Sequence, residues 1–187
     1  AGEDVSGIQL AGIGNHVAGA MSGRQAGGVY NQVPGDSHAA QHAGVFNHVD
    51  GIGNVVQTAG VYNIAVGGFN GLQTAGVFNS TDGMIVGAQI AGVYNTAGPV
   101  NGGQISLVNV AGNVNGAQVG LVNIGKTVRG TQIGLVNISE ELYGIPIGLV
   151  NIIERGIDDL SLWWQEDQRT WLAVQNGSNV FYTLVYA

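Results

Sequence analysis

Along most of this chain, small and polar residues alternate with β-branched and aromatic ones, and no apolar spacing of 3.6 residues appears. That pattern predicts strands and no amphipathic helix. The alternation is locked to a repeat. A phrase ending in asparagine, GVYN or GVFN early and LVN late, recurs at Asn15, Asn31, Asn47, Asn63, Asn79, Asn95, Asn109, Asn123, Asn137 and Asn151, stepping by 16 residues five times and then by 14 residues four times. Glutamines keep the same beat at Gln9, Gln25, Gln41, Gln57, Gln73, Gln89, Gln104, Gln118 and Gln132, with Pro146 in the tenth place. From Gln to Asn is six residues in the early units and five in the late ones.

Units of this length are too short for a helical hairpin repeat of more than about 30 residues or a propeller blade of about 40. They fit one coil of a parallel β-solenoid, in which each coil stacks on the next at about 4.8 Å, so that ten coils make a rod of about 48 Å. The predicted fold is therefore all-β: a lead-in at residues 1–7, a parallel β-solenoid (β-helix) over 8–152, and a C-terminal cap over 153–187. Equivalent residues then form columns. Two-residue alternation points the asparagines inward as a hydrogen-bonded ladder. It also points inward the position two before each asparagine, Val29, Val45, Val61, Val77, Val93, Leu107, Leu121, Leu135 and Leu149. The position just before Asn faces outward, and in the first half it carries Tyr30, Phe46, Tyr62, Phe78 and Tyr94, followed by valine from Val108 on. This aromatic strip, flanked by Gly28, Gly44, Gly60, Gly76 and Gly92, is the candidate binding surface. The alternative is that the rings stack on one another or pack inside. Glycines four after Asn, at Gly19, Gly35, Gly51, Gly67 and Gly83, read as corners with positive φ.

The beat stops near Ile153. The remaining segment holds Trp163, Trp164 and Trp171 and reads as three strands, about 160–165, 170–175 and 180–186, with a hairpin turn at Asn176-Gly177. A solenoid end exposes an open strand edge, and a bulky cap there would cover it.

Composition narrows the functional classes. Charged residues are 9% of the chain and there are 33 glycines, against roughly 25% charged residues in globular proteins generally. Only three prolines and no three-residue period exclude a collagen helix, and 45% hydrophobic residues argue against disorder. A net charge of −7 with five Lys plus Arg argues against nucleic acid as a partner. Without cysteine there is neither a disulfide framework nor a thiolate metal site. No run reaches the ~20 apolar residues of a transmembrane helix. The opening AGEDVSG suits a mature end left by signal cleavage.

Candidate chemistry is sparse, and no cofactor or metal is expected. His16 and His48 share a column two coils apart, too far to hold one ion, while His38 and His42 lie nearby in sequence. Asp50 and Asp82 also share a column, at a spacing compatible with paired carboxylates about 5 to 10 Å apart. A polysaccharide-active enzyme built around His42, Asp50 and Asp82 on the variable wall is therefore one alternative. Glycine patterns such as GIGN are corners, since none opens a helix that would hold phosphate.

The run GAQVGLVNIGKTVRGTQIGLVNISEELYGIPIGLVNI resembles the glycine-rich GLVN-type repeats of bacterial surface proteins, and the closing segment is similar to the one found after such repeats in exported proteins. The likeness covers residues 89–187 well and the aromatic half less closely. It implies export and a cell-surface or outer-membrane association, and it carries over no catalytic residue. The leading expectation is a non-enzymatic exported scaffold or adhesion module that binds a protein or glycan at a cell surface. The other alternative is the soluble part of a larger outer-membrane protein.

Overall fold

The computed structural model describes residues 3–164, 170–177 and 182–186, and the side chains of 3–54 and 56–156. Residues 5–153 wind into a parallel β-solenoid of about nine turns, without a helix. A coil is made of a long strand and a short one, for example Ser37–Ala43 followed by Phe46–Val49. In the last turns the short strand runs straight into the next long one, giving Val122–Ile133 and Val136–Ile147.

The register keeps Asn on Asn and Gln on Gln throughout. Where the coil shortens, Asn95 pairs with Asn109 and Gln89 with Gln104, so both lost residues fall in corners and the sheets continue undisturbed. Both amide columns are interior: the asparagines are 0–7% exposed. Nine Asn–Asn bonds run one way, each Nδ2 donating to the Oδ1 of the next coil at 2.8–3.1 Å. Eight Gln–Gln bonds run the other way, each Nε2 donating to the Oε1 of the preceding coil at 2.7–2.9 Å. The second hydrogen of each inner Asn amide goes to a corner carbonyl of the following coil, such as Thr58 O from Asn47 and Ile90 O from Asn79. Side-chain amides thus satisfy one another where water is excluded, as buried polar groups must.

The apolar core is thin and shares its volume between two facing columns. Ala65 and Phe69 belong to one buried cluster, and the Phe69 ring lies over Gly53 in the preceding coil and would collide with a Cβ there. Positive φ is found in the long strands rather than at the expected corners. Gly7, Gly23, Gly71, Gly87, Gly102, Gly116 and Gly130, all mid-strand, have φ of 117–142°, and Gly68, which opens its strand, has 127°. Gly19, Gly35, Gly51, Gly67 and Gly83 are not in that region; at Gly35, Gly51, Gly67 and Gly83 the coils approach closely instead, a Cβ on Gly67 lying 2.8 Å from the Gly51 carbonyl carbon. The kink column is interrupted at Ala39 and Val55, where the pairing of Ser37–Ala43 with Ile52–Ala59 also lapses.

The long-strand side of the rod ends with the strand that carries Pro146, and the short-strand side ends one strand later at Val150–Ile153. Strand Val136–Ile147 pairs with Val150–Ile153 through residues 136–139, and the Glu140 carbonyl then accepts from Arg155 N, so Val136–Ile147 is the last long strand of the stack and carries its outer edge. The Ile147 carbonyl accepts from Gly134 N, which turns the neighbouring Pro146 nitrogen toward that edge, the one place in a sheet where a missing N–H is tolerated. Proline also stops the amide column, leaving Gln132 Oε1 buried without a partner.

Beyond it, Ile157–Trp164, Thr170–Gly177 and Tyr182–Tyr186 form a separate antiparallel sheet. Asn176 and Gly177 are not its turn. They pair with Asp158 and Ile157 on one side and with Thr183 and Tyr182 on the other, and a central strand bonded along both edges extends past the expected turn. The connection falls in 178–181, and like the side chains of Trp163, Trp164 and Trp171 it lies outside the described residues.

Candidate functional site

The outward residue opening each short strand is the aromatic position. Tyr30, Phe46, Tyr62, Phe78 and Tyr94 stand in register and are half-buried. Tyr30 and Phe46 stack with centroids 5.4 Å apart and planes at 12°, Phe46 and Tyr62 at 5.0 Å and 4°, Tyr62 and Phe78 at 4.9 Å and 6°. Coil spacing alone brings about this stacking, since about 4.8 Å falls inside the 4.5–7 Å range of favourable ring pairs. The strip therefore faces outward and is stacked on itself at once. From Tyr30 to Phe78 ring faces are spent on neighbours and ring edges are left outward, and tyrosine recurs every second coil at Tyr30, Tyr62 and Tyr94.

Next to the strip the structure departs from the alternation read in the sequence. Val29, Val77, Val93, Leu107, Leu121, Leu135 and Leu149 face solvent rather than the core, Leu149 being 84% exposed, and Val45 and Val61 are half-exposed. A bend at Gly-Val, or at Gly-Leu in the late coils, separates the two strands, and the short strand starts only at the next residue. Alternation counted back from Asn does not cross that corner. The signal that could have found this was the change of spacing. With Gln and Asn both interior and first six, then five residues apart, no single alternating strand has the right parity for both.

This corner forms an outer trough along the rod. In the early coils it is lined by Leu10, Ala26, His42 and Thr58 over a floor of Gly12, Gly28, Gly44 and Gly60. A Cβ on Gly44 or Gly60 would strike the carbonyl oxygen of the floor glycine one coil below, so the floor stays bare. In the late coils the wall after Gln is Ile105, Val119, Ile133 and Ile147. The opposite wall is Leu107, Leu121, Leu135 and Leu149, and the floor is Ser106, Gly120, Gly134 and Gly148. All eight wall residues of this half are 36–84% exposed. Reading Leu as core hid this surface.

Polar groups gather around the irregular third and fourth coils. His48 Nε2 and Asp50 Oδ1 are 2.7 Å apart, Asn54 Nδ2 and His38 Nδ1 are 3.2 Å apart, and Ile52 N donates to Asp36 Oδ1 at 2.8 Å. His42 is not part of this group and lines the trough. Asp50 and Asp82 follow Val49 and Thr81, two coils apart in register. The carboxylate of the acid–base alternative is thus engaged with His48, and His42 lies on another corner of the coil. His16 and His48 stand in one column with Gln32 between them. Among the described residues no three His, Asp or Glu side chains come together as a metal site would need. Among the same residues no helix is long and apolar enough to cross a membrane. Compared with protein-family models, curated proteins and solved structures, the chain finds no match.

Proposed function

We propose that this chain is a non-enzymatic, exported surface scaffold or adhesion module that binds a partner along the aromatic edge of its first six coils, the partner being a protein or a glycan at a cell surface. The observation that supports it is the ladder from Tyr30 to Tyr94. Five rings are held in register by backbone pairing, and four of them, Tyr30 to Phe78, also by stacking on one another, so the surface is ordered before any ligand arrives and binding carries little ordering cost. Ring edges carry the positive part of the aromatic quadrupole. Together with tyrosine hydroxyls every second coil they suit a partner rich in oxygen acceptors, whether sugar hydroxyls or peptide carbonyls. The likeness of the late repeats to GLVN-type surface repeats supports export.

A glycan array and a cell-surface adhesion assay with the purified chain test this reading. Replacing Tyr62, Phe78 and Tyr94 together by Ala is expected to abolish binding. Replacing Tyr30, Tyr62 and Tyr94 by Phe keeps the stack and removes the hydroxyls, and is expected to weaken binding at least tenfold with an unchanged melting temperature. Binding unchanged in both variants would exclude the aromatic edge as the contact surface.

A further inference from the structure

From the late trough we infer that two copies of this chain pair side by side through the coils of residues 105–149, with a two-fold axis parallel to the rods. The face is separate from the aromatic edge, which occupies the other half of the rod.

The first argument is area. Eight Ile, Val and Leu side chains, on average about half exposed, stand on the two walls with no charged residue among them. They offer roughly 700 Å² of apolar surface on each copy, above the largest patch of a typical monomer at about 300–600 Å². A two-fold pair covering both faces would remove at most roughly 1,400 Å² from water, a ceiling that lies within the 1,200–2,000 Å² of stable specific interfaces. In the first half the same wall carries Leu10, Ala26, His42, Thr58, Thr74 and Ile90, so small and polar residues interrupt the apolar stripe there.

The second argument is shape. Each face consists of an isoleucine-rich ridge, a floor of Ser106, Gly120, Gly134 and Gly148, and a leucine ridge, all repeating once per coil. With the two-fold axis along the rods, the leucine ridge of each copy lies over the glycine floor of the other, and every coil meets its equivalent at the same height. An axis across the rods instead places leucine ridge on leucine ridge and leaves both floors empty. The glycines provide the depth: they have no side chain, and the leucines beside them stand clear. Such a pairing is closed and isologous, so it ends at two copies.

Sedimentation equilibrium and light scattering on the whole chain at about 1–100 µM test the pairing. The expected mass is twice that of one chain, falling to a single chain when Leu121 and Leu135 are both replaced by Glu. Because both leucines are exposed, the variant should keep its β circular dichroism and its melting temperature when measured at concentrations where the parent has dissociated. A parent that stays at the mass of one chain, including one that instead floats with phosphatidylcholine vesicles, overturns the proposal, as does a double variant that remains paired. The chain has no cysteine, so the axis can be read separately by oxidation. L135C should form disulfide-linked pairs, and a mixture of L107C and L149C should give only like-with-like links. Mixed 107–149 links would overturn the parallel axis.

Discussion

Replacing Asn79 by Asp exchanges one amide nitrogen for an oxygen of nearly the same size, at a side chain that is 0% exposed. Asn79 Nδ2 donates to Asn95 Oδ1 and to Ile90 O, both at 2.9 Å, while its Oδ1 accepts from Asn63 Nδ2 at 2.9 Å. A carboxyl in that place still accepts from Asn63. Protonated, it has one hydrogen for two acceptors, so one acceptor loses its donor at a cost of about 1–3 kcal/mol. Ionised, it turns an anion toward both acceptors in a dry interior, which holds the introduced group's folded-state pKa above its unfolded value of about 3.9. The folded chain then keeps a proton that the unfolded chain has released, and stability relative to the parent falls by about 1.4 kcal/mol for each pH unit between those two values. The deficit is therefore smallest below pH 4 and grows as pH rises, by about 4 kcal/mol at pH 7 if the folded group is still protonated there. At about 2–4 °C per kcal/mol, the gap in Tm between parent and variant should widen by about 10 °C between pH 4 and pH 7. Calorimetric scans of both proteins across that range measure it. A gap that is constant, or that narrows as pH rises, would show that this ladder is not a dry, donor-committed column.

Two further substitutions test the frame of the rod. Gly116 has φ 142° and stacks so closely that a Cβ would meet the Gly102 carbonyl oxygen. Gly116→Ala should therefore lower stability by at least about 3 kcal/mol, with hydrogen exchange accelerated in the coils around it, whereas Ala117→Gly next door should show no such loss. Pro146→Gln supplies the donor that Gln132 Oε1 lacks and should raise stability by about 1 kcal/mol net of the flexibility gained by the unfolded chain; Pro146→Ala, which loses the proline and adds no amide, should lower it, and denaturant titration of the three proteins gives the order.

The repeat by itself determined the coil, its register and the amide interior. A residue type returning every 16 or 14 positions has only its own equivalents above and below it, so Asn15 to Asn151 had to share a column whatever the shape of the coil. Buried amides had to bond one another because each stands directly above and below its own kind, and backbone carbonyls take the donors left over. The aromatic ladder followed from the same period, for coil spacing and ring stacking distance coincide. What the period does not contain is the direction of a side chain at a corner. Val29 and Leu107 read as core because alternation was carried through a bend that only the folded backbone locates. The same limit hid the kinks at Gly87 and Gly116, which lie mid-strand because that is where the coil must turn. The pairing of Asn176 and Gly177 likewise depends on strands to either side. The trough, and any surface built on it, was decided by the tertiary structure, since exposure at a corner depends on how far the chain turns there, an angle that residue spacing alone does not fix.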